Sequence, residues 1–445
     1  MDIFIKVTQL FASLSLLIVL HELGHFLPAR WFRTRVEKFY LFFDPWFSVV
    51  KKKIGETEYG IGWIPLGGYV KISGMIDESM DKEQLKGEPQ PWEFRSKPAW
   101  QRLIIMLGGV TVNFLLGFFI FGMMLFTWGD QYLPANQVKY GIATSEMARE
   151  LGLKDGDQVL AVGQVPFDKF NDGVVVKEIL IHNAATITVI RDGQTMDVTV
   201  PENAASRLAS ESKKKEALFT PRIPFKAQKL APGSPAETAG ILEGDLIISL
   251  NNEPTPYFSD FLNKVKTLPN TQVTVGVLRG IDTISLVLTT TEQGTIGVFP
   301  APPSDYMTFE TQSYTFFEAM PAGVVKGWKF LATQLSAFGQ MFSGKINPSD
   351  SLGGFISIGN MFPAYWSWFD FWQMTAILSL ILAFMNLLPI PALDGGHVIF
   401  LLWEVVTGRK VSDKVMEYAT MAGFIFVIAL VLYANGLDIL RLFGK

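Results

Sequence analysis

Four apolar stretches, at about 5–29, 102–128, 370–402 and 416–435, are each long enough to cross a bilayer, which takes roughly 20 residues. They constrain this chain more than any other feature. Backbone amides and carbonyls in hydrocarbon must be satisfied internally, and only helices and closed barrels achieve that. Near-continuous apolar runs of this length, in a chain that is 49% hydrophobic, point to helices. The first run sits where a signal peptide would. Its apolar core is too long for one, no A-x-A-like site follows, and Arg30, Arg33 and Arg35 come directly after it, so we read it as a retained helix.

Positive charge sets the direction of the spans. Arg30, Arg33, Arg35, Lys38 and Lys51–Lys53 follow the first run, and Arg409, Lys410 and Lys414 lie between the third and fourth. The positive-inside rule puts both loops in the cytoplasm and the 129–369 region outside. The first and third spans then run the same way, and their C-terminal ends meet the same membrane face. The formal net charge of −4 argues neither for nucleic acid nor against it, but no basic stripe with interleaved aromatics is present, and no nucleic-acid partner is expected. The partner implied by the spans is the lipid bilayer.

The region between the second and third spans contains a duplication. Ala148, Gly152, Gly156 and Asp157 recur 88 positions later as Ala236, Gly240, Gly244 and Asp245, and Arg191 recurs as Arg279. A Gly-x-x-x-Gly-Asp turn leading into a β-branched strand resembles PDZ domains, and we expect one at 130–205 and another at 222–300. A polar linker at 206–221, containing Lys213–Lys215, separates them. Such modules either add a peptide strand to a sheet edge or act as a steric gate. The aromatic and Met-rich segment at 314–345, within 301–369, suggests amphipathic helices on the outer membrane surface or a buried helical face.

The chemistry is concentrated in the first span. His21-Glu22-Leu23-Gly24-His25 has the His-Glu-x-x-His spacing, which puts both imidazoles on one helix face and leaves the glutamate beside them as a general base. An ionisable group at the centre of a span costs about 2.5–3.5 kcal/mol on insertion scales, so these residues imply a task. Cysteine is absent, which restricts any metal site to His and carboxylate ligands, and the chain has only four histidines. A hydrolytic zinc needs a third protein ligand. Asp394, in "NLLPIPALDGGH" at 386–397, is the candidate, with a helix N-cap as its alternative role. Pro389 and Pro391 interrupt helical hydrogen bonding beside it and free backbone groups for substrate.

HELGH in a first span, N-x-x-P-x-P-x-L-D-G at a third, and tandem PDZ-like modules between them resemble the site-2 protease family, in its regulator of sigma-E protease branch. The resemblance implies a polytopic α-helical membrane protein with four transmembrane helices, two extracytoplasmic PDZ domains of α+β type and a membrane-reentrant β-hairpin. The first two spans occupy 1–128 and the last two 370–445. The resemblance further implies Zn2+ held by His21, His25 and Asp394, Glu22 as general base and acid, and Asn386 in contact with substrate. We expect the hairpin at 57–74, where alternating β-formers flank a Gly67-Gly68 turn, and expect Gly67, Gly68 and Tyr69 to hold substrate extended. The implied substrates are single-span membrane proteins, such as anti-sigma factors or remnant signal peptides, already cut outside by a site-1 protease. The implied location is a bacterial inner membrane, with the active site near its cytoplasmic face. Two departures from the family pattern are "KFYLFFDPWFSVV" at 38–50 and Gly108-Gly109 in the second span, with Asn113 completing G-x-x-x-N. A non-catalytic PDZ receptor with a structural metal is the rival reading, and Glu22 argues against it because a structural site needs no base.

Overall fold

The computed structural model of the chain describes residues 2–75, 87–204, 207–208, 217–343 and 353–443. Two compact units emerge: Met1–Gly129 with Ser313–Lys445, and Asp130–Gln312. The first unit holds the four helices that are long and apolar enough to cross a membrane, at Ile3–Trp31, Ala99–Trp128, Trp368–Leu387 and Lys414–Leu442.

Helix α1 (Asp2–Trp31) carries the first apolar run and is followed by strands β1 (Val36–Phe43), β2 (Val50–Ile54), β3 (Thr57–Ile61) and β4 (Ile64–Ile72). The expected hairpin at 57–74 does not form. Its two strands are separated by β1, which pairs parallel with β3 and antiparallel with β4 in the order β2-β3-β1-β4. The aromatic residues Phe39, Tyr40, Phe42 and Phe43 at the start of the unusual 38–50 segment are what supply this central strand. The chain reverses at Gly62-Trp63, leaving Gly67 and Gly68 inside β4 rather than in a turn. They serve close approach instead: a Cβ on Gly68 would stand 2.5 Å from Ile18 Cγ2 of α1 and 2.8 Å from the Tyr40 carbonyl oxygen. Helix α2 (Ala99–Trp128) then forms the second span.

The second unit contains the duplication. Its first copy has β5 (Asp130–Tyr132), β6 (Ile142–Thr144), α3 (Glu146–Glu150), β7 (Gln158–Val162), β8 (Val165–Pro166) and α4 (Asp172–His182), then β9 (Thr186–Arg191) and β10 (Gln194–Thr199). Strand β11 (Phe219–Pro221) lies within the expected linker, yet pairs with β6 and belongs to the first copy. Lys213–Lys215 of that linker lie outside the described residues. The second copy has β12 (Ala227–Leu230), α5 (Pro235–Thr238), β13 (Leu246–Leu250), β14 (Glu253–Pro254), α6 (Phe258–Val265), β15 (Gln272–Arg279), β16 (Asp282–Thr289) and β17 (Val298–Pro300). Strand β18 (Glu310–Gln312) returns to pair with β5.

Both copies build one topology, β8-β7-β9-β10 and β14-β13-β15-β16. Even the register recurs. Val159 opposite Val189 becomes Ile247 opposite Val277, with the same irregularity one step on. In each copy an arginine clamps the glycine turn: Arg191 bonds both carboxylate oxygens of Asp157 at 2.8 and 2.7 Å and the Gly152 carbonyl at 2.8 Å. Arg279 does the same to Asp245 and Gly240 at 2.8, 2.7 and 2.8 Å. Each sheet closes over its own apolar core, around Ile187 and Val189 in one copy and Val275 and Val277 in the other.

The chain returns to the first unit with α7 (Phe316–Phe342), α8 (Phe355–Asn360), α9 (Trp368–Leu387), α10 (Asp394–Thr407) and α11 (Asp413–Leu442). Helix α7 packs lengthwise, with a Cβ on Gly323 meeting the Gly122 backbone of α2 and the Phe338 ring 5.8 Å from Phe384 of α9. The expected third span at 370–402 is two helices. Pro389 and Pro391 cannot donate backbone hydrogen bonds, and Leu388, before the first of them, adopts an extended conformation that ends α9. Arg102 of α2 hydrogen-bonds Glu404 of α10 in a partly buried pair that ties the new helix back to the bundle.

The recurring clamps make a stability prediction. Asp157→Asn removes the charge from a side chain with 0% exposure and should destabilise the first copy by about 1.5–3 kcal/mol, the usual value of hydrogen bonds to a charged group. Hydrogen–deuterium exchange across 142–191 of the full chain will measure it. In the second copy, the Arg279 hydrogen bonds hold Asp245 below its ordinary pKa. A depressed folded-state value stabilises above the unfolded pKa, and that stability disappears as pH falls through the folded one. Protection of 227–279 should therefore fall in acid below the ordinary carboxylate range, and Asp245→Asn should remove that dependence.

Candidate metal centre

Helix α1 runs to Trp31 without a break, so His21 and His25 stand one turn apart on one face. Asp394 arrives from the opposite side as the first residue of α10. The position before it, Leu393, makes no side-chain cap, so the aspartate is not spent as an N-cap. Its Oδ2 lies 3.3 Å from His21 Nε2 and 3.3 Å from His25 Nε2, and the two Nε2 atoms are 3.3 Å apart. Three donor atoms thus form an equilateral triangle.

The triangle fits a tetrahedral cation. Ligand bonds of about 2.0–2.1 Å, those of zinc to nitrogen and oxygen, place tetrahedral ligands about 3.3–3.4 Å apart. Asp394 Oδ2 is also a buried atom with no hydrogen-bond donor, an arrangement that a cation satisfies. His25 Nδ1 lies 2.8 Å from the Ile105 carbonyl oxygen, which only accepts. Nδ1 therefore carries the proton and Nε2 keeps its lone pair for a metal. Among the described residues, His21, His25 and Asp394 are the one group of three such side chains close enough to share an ion.

A cavity of about 690 Å³ opens beside the triangle, lined by Glu22, Asn113, Asn386 and Gly67–Ile72 of β4, among others. Glu22 is adjacent to the ligands, next to the Val70 backbone amide, with its Cγ 3.4 Å from where a Gly68 Cβ would stand. Asn386 brings its Nδ2 to 3.4 Å from His21 Nε2. Gly67, Gly68 and Tyr69 line the cavity from β4, and Tyr69 is held by a 2.7 Å hydrogen bond to Asp44 and by stacking between Tyr40 and Phe43. Pro389 and Pro391 do not line it. They shape the turn in which Leu393 bonds back to the Ile390 carbonyl at 2.9 Å, and that turn delivers Asp394. Of the other histidines, His397 is a cavity wall residue and His182 pairs with Glu178 at an exposed helix end in the second unit.

Sequence reasoning did not find the part played by α2. A Cβ on Gly109 would lie 2.6 Å from His21 Cε1 and 2.8 Å from its Nδ1, and one on Gly108 would strike the Gly24 carbonyl. The two glycines let α2 touch α1 backbone to backbone, as small residues do between membrane helices. The Gly108-Gly109 pair was the visible signal.

The sequence profile of Peptidase family M50 matches residues 9–430. The chain belongs to that family. Membership agrees with the resemblance of the motifs to site-2 proteases and makes the chain a zinc-dependent metalloprotease. It is similar to the regulator of sigma-E protease RseP of Escherichia coli, 28% identical with 97% of each chain covered. It is also similar to the regulator of sigma E protease of Haemophilus influenzae, 27% identical over 97% of each. A Vibrio cholerae protein named as a zinc metalloprotease is 28% identical over the same share. With its four apolar helices, this M50 peptidase is a multi-pass membrane protein.

Gly109→Ala should cut zinc affinity by at least about tenfold, the cost typical of disturbing groups around a metal ligand. Gly436→Ala in α11, where an added Cβ would meet nothing within 4 Å, should leave it unchanged. Metal analysis after dialysis against a graded chelator will separate the two.

Proposed function

We propose that this M50 peptidase is an intramembrane endoprotease that hydrolyses the transmembrane segments of single-span membrane proteins near the cytoplasmic face of a bacterial inner membrane. One observation carries the reading: a zinc-sized ligand triangle with a carboxylate beside it lies among apolar helices and opens onto a sheet edge. His21, His25 and Asp394 are the proposed ligands. When bound, zinc supplies a Lewis acid that polarises a carbonyl and makes water easier to deprotonate.

Glu22 takes a proton from the attacking water. As the peptide carbon–nitrogen bond breaks, Glu22 passes that proton to the leaving amine, so the base of one step is the acid of the next. Asn386 Nδ2–H is close enough to the ligands to hydrogen-bond the oxygen on which negative charge develops. Strand β4 ends its sheet and pairs, among the described residues, only with β1. Its other edge is suited to bind an unwound substrate as an added strand. That matters because a helical peptide bond is screened by its own hydrogen bonding. Gly67 and Gly68 keep side chains out of this path, and Tyr69 anchors the strand.

The two copies of the duplicated module are PDZ domains in this reading, on the extracytoplasmic side. They favour substrates whose external domain a site-1 protease has already removed, with anti-sigma factors and remnant signal peptides as the candidate classes. The chain's similarity to regulators of sigma-E protease supports this assignment.

The test uses a tagged single-span substrate in membranes. Glu22→Gln should bind about one zinc per chain, as the parent does, and lose about 10²–10⁴ of the cleavage rate, the usual worth of a positioned acid–base group. Normal cutting by that variant would refute the assignment. Chelation of the parent should abolish cleavage, and zinc should restore it.

A further inference from the structure

His21 differs from its partner His25 in what holds the far side of its ring. His25 Nδ1 rests on a backbone carbonyl, which leaves only one tautomer possible. The atom facing His21 Nδ1 is Asn113 Nδ2, at 3.2 Å, from the side chain of an α2 residue that is 1% exposed. An amide nitrogen there would donate to Nδ1 and force the ring proton onto Nε2, where it would point at Asp394 Oδ2 and His25 Nε2. The other end of the same amide, Asn113 Oδ1, is buried with no hydrogen-bond partner.

A half-turn of the amide changes both facts together. The oxygen and nitrogen of an asparagine side chain occupy nearly equal volumes, and the hydrogen-bond network decides which is which. With Oδ1 toward His21, that oxygen gains a donor in Nδ1–H and Nε2 keeps the lone pair that a metal needs. Nδ2 moves into the position Oδ1 held, so the demand of a metal on Nε2, and not the number of hydrogen bonds, decides the orientation. The backbone of Asn113 is pinned where this requires it: its carbonyl accepts a 2.7 Å hydrogen bond from the buried Ser379 hydroxyl of α9. Asn113 also lies one turn beyond Gly109, so one face of α2 both makes room for the imidazoles and meets one of them.

We infer that Asn113 is a positioning residue of the metal centre, accepting Nδ1–H of His21 through its side-chain oxygen and so fixing the tautomer and ring orientation that aim Nε2 at the ligand triangle. The inference rests on the ligand set proposed above. It deepens that reading by assigning to α2 the role that the Ile105 carbonyl performs for His25. Hydrogen bonds of this kind to a ligating histidine typically contribute 10–100-fold in metal affinity.

The experiment measures zinc affinity of the full-length chain in detergent by chelator competition, and records the absorption of the Co2+-loaded protein. Asn113→Leu keeps the shape and removes the acceptor. Affinity should fall about 10–100-fold, with a changed Co2+ spectrum and unchanged melting of the metal-free protein. Asn113→Asp can only accept, and should bind zinc at least as tightly as the parent with the parent's spectrum. A packing role predicts no such rescue. Parental affinity in Asn113→Leu, or an Asn113→Asp chain as weak as Asn113→Leu, would overturn the inference. If Asn113→Leu fails to reach the membrane, the Asn113→Asp measurement decides alone. Asp394→Ala runs beside them, and undiminished affinity there would refute the ligand set itself and this inference with it.

Discussion

The convergence of His21, His25 and Asp394 to mutual distances of 3.3 Å is the constraint around which the first unit is arranged. Two imidazole lone pairs and a carboxylate oxygen facing one another repel, and in apolar surroundings no water relieves them. A divalent cation turns the same three atoms from a liability into ligands. The helices can then afford ionisable groups at a depth where an unpaired charge would be expelled. Each neighbouring feature serves this point: α1 supplies two of the proposed ligands on one face, the proline-interrupted turn supplies the proposed third, and the Arg102–Glu404 pair holds α10 where that turn leaves it.

Helix α2 has no ligand of its own and yet most of the packing runs through it. Gly108 meets Gly24 of α1, Gly109 faces both imidazoles, and Gly122 meets Gly323 of α7. Between membrane helices there is no hydrophobic driving force to draw them together, so close backbone approach and buried hydrogen bonds must suffice. Ser379 bonding the Asn113 carbonyl is one of those bonds. The sheet follows the same logic, since Gly68 lets β4 lie against α1 near Glu22.

The second unit obeys different physics. Its two copies fold as water-exposed sheets over separate cores, and each locks its glycine turn with an arginine on a buried aspartate. The clamp recurs at an offset of 88 residues because the turn, the register and the charge pair form one structural solution. The irregularity in the β7–β9 ladder is repeated between β13 and β15, which shows that the strand geometry was duplicated along with the turn.

The sequence by itself determined the four apolar runs and the duplication, and it singled out His21, Glu22, His25 and Asp394 as the proposed site, because these depend on local composition and on fixed spacings along one chain. Helical periodicity places positions 21 and 25 on one face wherever the helix lies. The strand order around β1 was not legible, since alternation shows that residues 57–74 are extended without showing which strand they pair with. Gly67-Gly68 read as a turn because the pressures that require missing side chains come from other elements, the Phe43 ring of β1 at Gly67 and Ile18 of α1 at Gly68. The break at 388–393 was visible in its prolines, but its consequence, a separate α10 that begins on Asp394, required the fold. Only tertiary structure brings Gly109 and Asn113 against His21. Their significance is a distance to His21 on another helix, and distances between elements are set by packing.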